Sequence, residues 1–129
     1  MTPNEYQDLA MRTAPEPGSG EPIELGIDVD GRAVVHGAIG LATEVGELQD
    51  AIKRAMFYGR PLDAGNVVEE CGDVLWYLAL VLQSAGYTLE EAMAKNIAKL
   101  RARYPEKFTA DAALNRDLAR EAQAMGSAR

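Results

Sequence analysis

Apolar residues recur at three- and four-residue steps through Leu41, Val45, Leu48, Ile52 and Ala55/Met56. That single stripe predicts an amphipathic helix from about Val34 to Tyr58, with Gly59 and then Pro61 as its stop. A second long helix is predicted from the N-cap Asp63 to about Ala85, with Gly86 beyond it. Its pattern differs: Val74 to Leu82 is apolar nearly all round, which predicts burial inside the domain or at a subunit interface. A short helix over Asn4 to Met11 precedes these, ended by Thr13 and the cluster Pro15, Pro17, Gly18 and Gly20. A capping box, Thr88 and Glu91, opens a further helix that stops at Tyr104-Pro105. Beyond Phe108 the chain is Ala-rich and charged, a weak last helix expected to fray towards Arg129. The stretch from Ala14 to Arg32 is rich in Pro and Gly and reads as a lid, an arm or an ordered turn. Within it Asp30-Gly31 signals a turn, with Ile27/Val29 and Ala33/Val35 as the strands of a small hairpin.

These elements predict an all-α fold, a helical bundle in one domain over 1–129, with an irregular loop at 14–32 and a tail at 109–129. A chain of 129 residues has no room for two independent cores. Hydrophobic residues at 47% and charged residues at 26% are ordinary for a soluble globular protein. No basic patch, apolar run and cleavage site combine at the N-terminus, and the run Val74 to Leu82 is too short to cross a bilayer. The single cysteine, Cys71, has no intramolecular disulfide partner, so a reducing cytoplasm is the expected location. The net charge of −7 argues against a nucleic-acid polymer as partner, since phosphate backbones select basic surfaces. An acidic protein that binds a free nucleotide must recruit cations, whether metal ions or a few placed Lys and Arg.

Glu44 and Glu47 stand three residues apart on one long helix, and Glu70 and Asp73 three apart on the other. Each pair shares a helical face. Acids so spaced are ordinarily solvated. Here Glu70 and Asp73 share a face with Tyr77 and Val81, so they are expected to point into packed surroundings, and Glu44 borders the apolar stripe. Two antiparallel helices would then gather four carboxylates in one partly buried place. Such acids take up protons or find a cation, because desolvating their charge is costly. Oxygen-only ligands favour Mg²⁺ or Mn²⁺ over zinc, and a ferritin-like di-iron site is disfavoured because its Glu-x-x-His is missing and His36 is the only histidine. Mg²⁺ commonly bridges carboxylates to phosphates.

Glu-x-x-Glu, a gap from 48 to 69, then Glu-x-x-Asp resembles the signature of the MazG-like all-α nucleoside triphosphate pyrophosphohydrolases. The surrounding residues agree: His36 to Leu48 reads HGAIGLATEVGEL, Glu69 to Leu78 reads EECGDVLWYL, and Leu100 to Phe108 reads LRARYPEKF. The opening Asn4-Glu5-Tyr6-Gln7 is similar too, so the likeness covers most of residues 1 to 117. The resemblance implies a short single-domain member that hydrolyses an NTP or dNTP to the monophosphate and pyrophosphate. It implies a dimer, or a tetramer built as a dimer of dimers, in which a neighbour can lend residues to the site. It also implies that Glu44, Glu47, Glu70 and Asp73 are the catalytic acids and bind Mg²⁺. A dedicated dUTPase-, dCTPase- or dGTP-type enzyme is the close alternative, and a phosphoribosyl-ATP pyrophosphohydrolase a more distant one. A non-catalytic helical oligomerisation module with salt-bridged acids is the alternative outside enzymology.

Other residues are candidates for the nucleotide, each with a plainer reading. Tyr77, one turn after Asp73, meets sugar or phosphate in the resemblance, or is a core tyrosine. Asn96, Lys99 and Arg103 share one face of the last long helix, which the resemblance implies meets the nucleotide; otherwise it is a solvated face. Lys53 and Arg54 follow the first acid pair by about two turns, where one of them can counter phosphate charge. His36 reads as a helix-start histidine more than a base contact. Trp76 reads as core or interface, and Glu69 and Asp50 as solvated or outer-sphere acids.

Overall fold

Six helices and no strand make up the described residues of the computed structural model, which are 1–16, 20–25 and 29–126. They are α1 (Pro3–Met11), α2 (Gly31–Tyr58), α3 (Ala64–Ser84), α4 (Leu89–Arg103), α5 (Ala110–Leu114) and α6 (Leu118–Ala124). The all-α expectation is met. The chain divides into two units, Met1–Leu89 and Glu90–Arg129.

In the first unit each helix end has a chemical cause. At α1, Thr2 and Glu5 form a reciprocal capping box: the Thr2 amide donates to Glu5 Oε2 at 2.6 Å and the Glu5 amide to Thr2 Oγ1 at 3.2 Å. Asp30 caps α2 by accepting from the Ala33 amide at 3.1 Å. This overturns the hairpin expected around Asp30-Gly31, since Ala33 and Val35 are helical. Asp-Gly serves a turn or a helix start equally well, and here the carboxylate satisfies an otherwise orphan helix N–H. Ile27 of that hairpin, with Pro17, Gly18 and Asp28, lies outside the described residues. Gly31 is required by contact: a Cβ there would stand 1.9 Å from the Ile23 carbonyl oxygen. The stop at Gly59 is as expected, in the left-handed region at φ 63°. Asp63 then caps α3 by accepting from the amides of Gly65 and Asn66.

α2 and α3 pack antiparallel over most of their length. Gly37 lies against Val81, Gly40 against Tyr77, and Glu47 near Glu70, so each turn forward on α2 meets a turn back on α3. The two glycines let the helices close: a Cβ at Gly37 would come within 2.5 Å of Val81 Cγ2, and one at Gly40 within 2.1 Å of Tyr77 Cε1. At Gly72 a Cβ would meet nothing within 4 Å. Gly72→Ala should therefore stabilise by about 0.5–1 kcal/mol through helix propensity alone. Gly40→Ala should be net destabilising despite the same gain, because overpacking costs about 1–3 kcal/mol. Thermal melts of the two variants check this contrast, and equal shifts would remove the packing role of Gly40.

α1 lies on α3 through polar ties. Buried Gln7 donates to Gln83 Oε1 and to the Tyr87 carbonyl, both at 3.0 Å, and accepts from the Leu89 amide at 2.7 Å. Trp76 donates its indole N–H to the Ala10 carbonyl at 3.1 Å and to Thr13 Oγ1 at 2.8 Å, the structural role expected of it. The apolar run Val74 to Leu82 on α3 is only partly covered in one chain: Ala79 and Leu80 are buried, whereas Leu75 and Leu78 are exposed.

In the second unit the expected weak last helix is two short helices with a clasp. Buried Glu121 of α6 accepts from Arg103 Nε and Nη2 at 2.9 and 2.7 Å, and from Arg116 Nε and Nη2 at 3.2 and 2.7 Å. Lys95 Nζ donates to the Met125 carbonyl at 2.8 Å. The hydrogen bonds from the two guanidiniums hold the Glu121 carboxyl well below the usual carboxylate range. A depressed pKa contributes stability above the unfolded value of about 4.3, lost as pH falls. Glu121→Gln should accordingly lower the melting midpoint by several degrees at pH 7 and by less at pH 4.

Candidate active site

The antiparallel register decides which acids meet. Glu44 and Glu47 on α2 each offer a carboxylate oxygen that lies, with one from Glu70 on α3, within 4.8 Å of the other two. Glu70 is 6% exposed, Glu44 half-buried and Glu47 exposed, so the trio runs from the helix interface to the surface. Asn66, one turn before Glu70, donates from Nδ2 to Glu70 Oε1 at 2.7 Å and fixes that carboxylate. Asp73 stands outside the trio and is exposed, not packed in as its place beside Tyr77 and Val81 suggested. A residue at the rim of a helix interface keeps its polar tip in water. Its charge still reaches the centre: burial raises the proton affinities of Glu44 and of the Tyr6 hydroxyl, and the Asp73 charge adds to both.

Glu44 registers the crowding. Burial is the first cause that pushes its carboxyl up, followed by the charges of Glu47, Asp73 and Glu70 and by a hydrogen bond with Glu70. Carboxylates this close are relieved by protons or by a cation between them. The donor set is all oxygen, with exposed Glu47 leaving a way in, and it fits Mg²⁺ or Mn²⁺ while offering zinc neither His nor Cys.

Beside the trio opens a cleft of about 960 Å³. Glu47 and Glu70 line one end, and Asp50, Arg54, Arg60 and Asp63 line it further along. Asp50 is more than a solvated acid: it pairs with Lys53, and its Oδ2 accepts from Arg54 Nε at 2.5 Å. Hydrogen bonds from Lys53 and Arg54 lower its pKa although partial burial opposes them. Of the two expected cations, Arg54 borders the cleft and Lys53 is not among its lining residues. Arg60 and Asn66 are functional candidates that periodicity missed. Asn66 had a signal, lying four residues before Glu70 on the same face; Arg60 had none, because it depends on how the chain turns after Gly59.

The remaining candidates divide between the two units. Tyr77 is edge-on to Trp76 and His36, with ring centroids 4.9 and 5.8 Å away, and its ring fills the space left by Gly40. His36 is exposed at the edge of this aromatic group. Asn96, Lys99 and Arg103 belong to the second unit; there Arg103 is held by Glu121, Asn96 is exposed and Lys99 half-buried.

Two antiparallel helices that set Glu-x-x-Glu against Glu-x-x-Asp define an all-α protein built around a polycarboxylate centre. The chain belongs to the family of the MazG nucleotide pyrophosphohydrolase domain, whose model matches residues 38–108, just over half of its length. That span holds all four acids and the cleft-lining residues beside them. Among curated proteins and solved structures, none matches the chain.

Proposed function

We propose that the protein hydrolyses a nucleoside triphosphate, NTP or dNTP, to the nucleoside monophosphate and pyrophosphate with Mg²⁺ as cofactor. The observation that carries this is the Glu44, Glu47 and Glu70 trio within 4.8 Å, with the charge of Asp73 acting on it, inside a matched pyrophosphohydrolase domain. Bound by these acids, Mg²⁺ supplies charge neutralisation, polarisation of the phosphoryl oxygens and stabilisation of the pyrophosphate leaving group. The chain's own residues do the rest. Asn66 fixes Glu70, and buried Glu70 together with Glu47 and Glu44 would hold the Mg²⁺ that meets the triphosphate. Water attacks the α-phosphorus in line, its oxygen forming the new bond while the bond to the bridging oxygen breaks. The leaving pyrophosphate takes that electron pair, and a carboxylate of the set takes the water's proton.

Tyr77, His36, Asn96, Lys99, Arg103, Lys53 and Arg54 are proposed nucleotide contacts, and Arg103 can serve only by sharing or leaving Glu121. The matched span runs through both units, which supports reading residues 1–129 as one domain. Exposed Phe57, Val68 and Leu75 support a homodimer or homotetramer. Among the described residues no helix is long and apolar enough to cross a membrane. We place the protein in the cytoplasm, acting on free nucleotides rather than on a nucleic-acid polymer.

The test is product analysis with Mg²⁺ over the common NTPs and dNTPs and dUTP. Metal-dependent release of pyrophosphate with a nucleoside monophosphate is expected. Orthophosphate with a diphosphate would mean that the attacked phosphorus is misassigned, and no release from any substrate would favour a non-catalytic module.

A further inference from the structure

Charge differs along the cleft, and the difference sorts a nucleotide's parts. Glu47 and Glu70 mark the end that gathers cations, and hence phosphates. Seven residues on from Glu47, roughly 10 Å along the axis of α2, stands Arg54. The turn at Gly59 brings Arg60 and Asp63 to the same cleft. The lining residues of this corner are two guanidiniums and two carboxylates, Asp50 and Asp63, and Lys53 pairs with Asp50 beside them. A phosphate group would meet both carboxylates there as well as the guanidiniums, while an uncharged planar group with matching hydrogen-bond edges meets no repulsion.

The hydrogen bonds already made define what the corner still offers. Asp50 engages Arg54 through Nε, which leaves both Nη groups of that guanidinium uncommitted among the described residues. The Arg60 side chain makes no hydrogen bond or ion pair among the described residues. Both bonds that Asp63 accepts as N-cap fall on Oδ1, leaving Oδ2 as an acceptor. The corner thus presents a donor fork and a carboxylate acceptor. Guanine answers both: O6 and N7 accept from a guanidinium, and N1–H and the 2-amino group donate to a carboxylate. Adenine puts a donor where guanine has O6, and pyrimidines have no N7.

We propose that Arg54, Arg60 and Asp63 form the base-reading corner of this protein and select guanine nucleotides, with Asp50 as the positioning residue that holds Arg54. This rests on the nucleotide-hydrolase reading above, but its test does not need turnover. Calorimetry with Mg²⁺ and the α,β-methylene analogues of GTP, ATP and CTP, and with inorganic tripolyphosphate, measures binding alone. The wild type should bind the guanine analogue about tenfold or more tightly than the other two. Arg60→Ala and Asp50→Asn should each erase that lead by weakening the guanine analogue about tenfold more than the ATP analogue, the CTP analogue or tripolyphosphate, because the base contact is what is lost. Arg54→Lys should not retain the selectivity, since an ammonium lacks the planar fork. All three substituted side chains line the cleft, and circular dichroism checks that the fold is kept. Equal affinity for all three bases would overturn the base-reading corner and leave the hydrolase reading standing. Equal losses for every nucleotide and for tripolyphosphate would overturn it in favour of a phosphate clamp. Wild-type protein that binds no analogue would overturn this inference and the nucleotide reading together.

Discussion

Glu47→Gln and Asp73→Asn, made singly, are expected to reduce Mg²⁺-dependent pyrophosphate release by at least roughly 100-fold, since even residues that merely support a metal ligand cost about 10- to 100-fold. Both side chains are exposed, so an amide of the same shape removes a charged oxygen without opening a void or stranding a buried partner. Helix content and metal-free melting midpoint should stay at wild-type values, which separates lost chemistry from lost fold. Glu69→Gln is the internal control. It removes the same charge one residue before Glu70, but a helix turns about 100° per residue and carries Glu69 off the face that meets α2. Its rate should match the wild type. Asp73 is the sharper of the two positions, because it lies outside the close trio and acts on Glu44 through space. Full activity in Asp73→Asn would reduce the site to three acids, and full activity in Glu47→Gln would remove the metal-site assignment.

The acids were legible because their signal is local. A three-residue step fixes a shared helical face, and Leu41, Leu48 and Ala55 of the apolar stripe mark the inward side of α2, although Val45 and Ile52 of the same stripe are exposed. Antiparallel packing of the two helices, joined by the five residues 59–63, then sets Glu47 beside Glu70. The stops at Gly59 and Gly86 were equally local, since each takes a positive φ that other residues resist. What failed depended on surroundings. Asp30-Gly31 carries the same two letters in a hairpin turn and at a helix start, and only the fate of the Ala33 amide distinguishes them. The exposure of Asp73 follows from where the edge of the helix interface falls, a matter of a fraction of a turn. The tail looked weak because α5 and α6 are short; what organises it is a single ion cluster joining Arg103, Arg116 and Glu121 across 18 residues of chain. Pairing of that kind has no periodicity to read.

The same contrast between local charge and distant partners sets how stability should respond to pH and metal. Glu44 has its proton affinity raised in the folded protein by burial and by Glu47, Asp73 and Glu70. The folded state therefore holds a proton that the unfolded chain releases at about pH 4.3, the ordinary glutamate value. Stability from this group is fully present below that pH and is lost as pH rises through the higher folded value. Glu121 has the opposite sign, so acid weakens the second unit while base weakens the acid centre. Mg²⁺ competes with protons for the carboxylates and should therefore stabilise more at pH 7.5 than at pH 5. At roughly 100 times its dissociation constant the gain is about 2.7 kcal/mol, a shift of several degrees in a chain of this size. Melting curves at the two pH values, with Mg²⁺ and with a chelator, read this directly. Glu44→Gln should raise the metal-free midpoint at pH 7.5, by removing a charge from the crowd, and at the same time shrink the response to Mg²⁺. The first effect without the second would mean that the acids repel one another but do not share a cation.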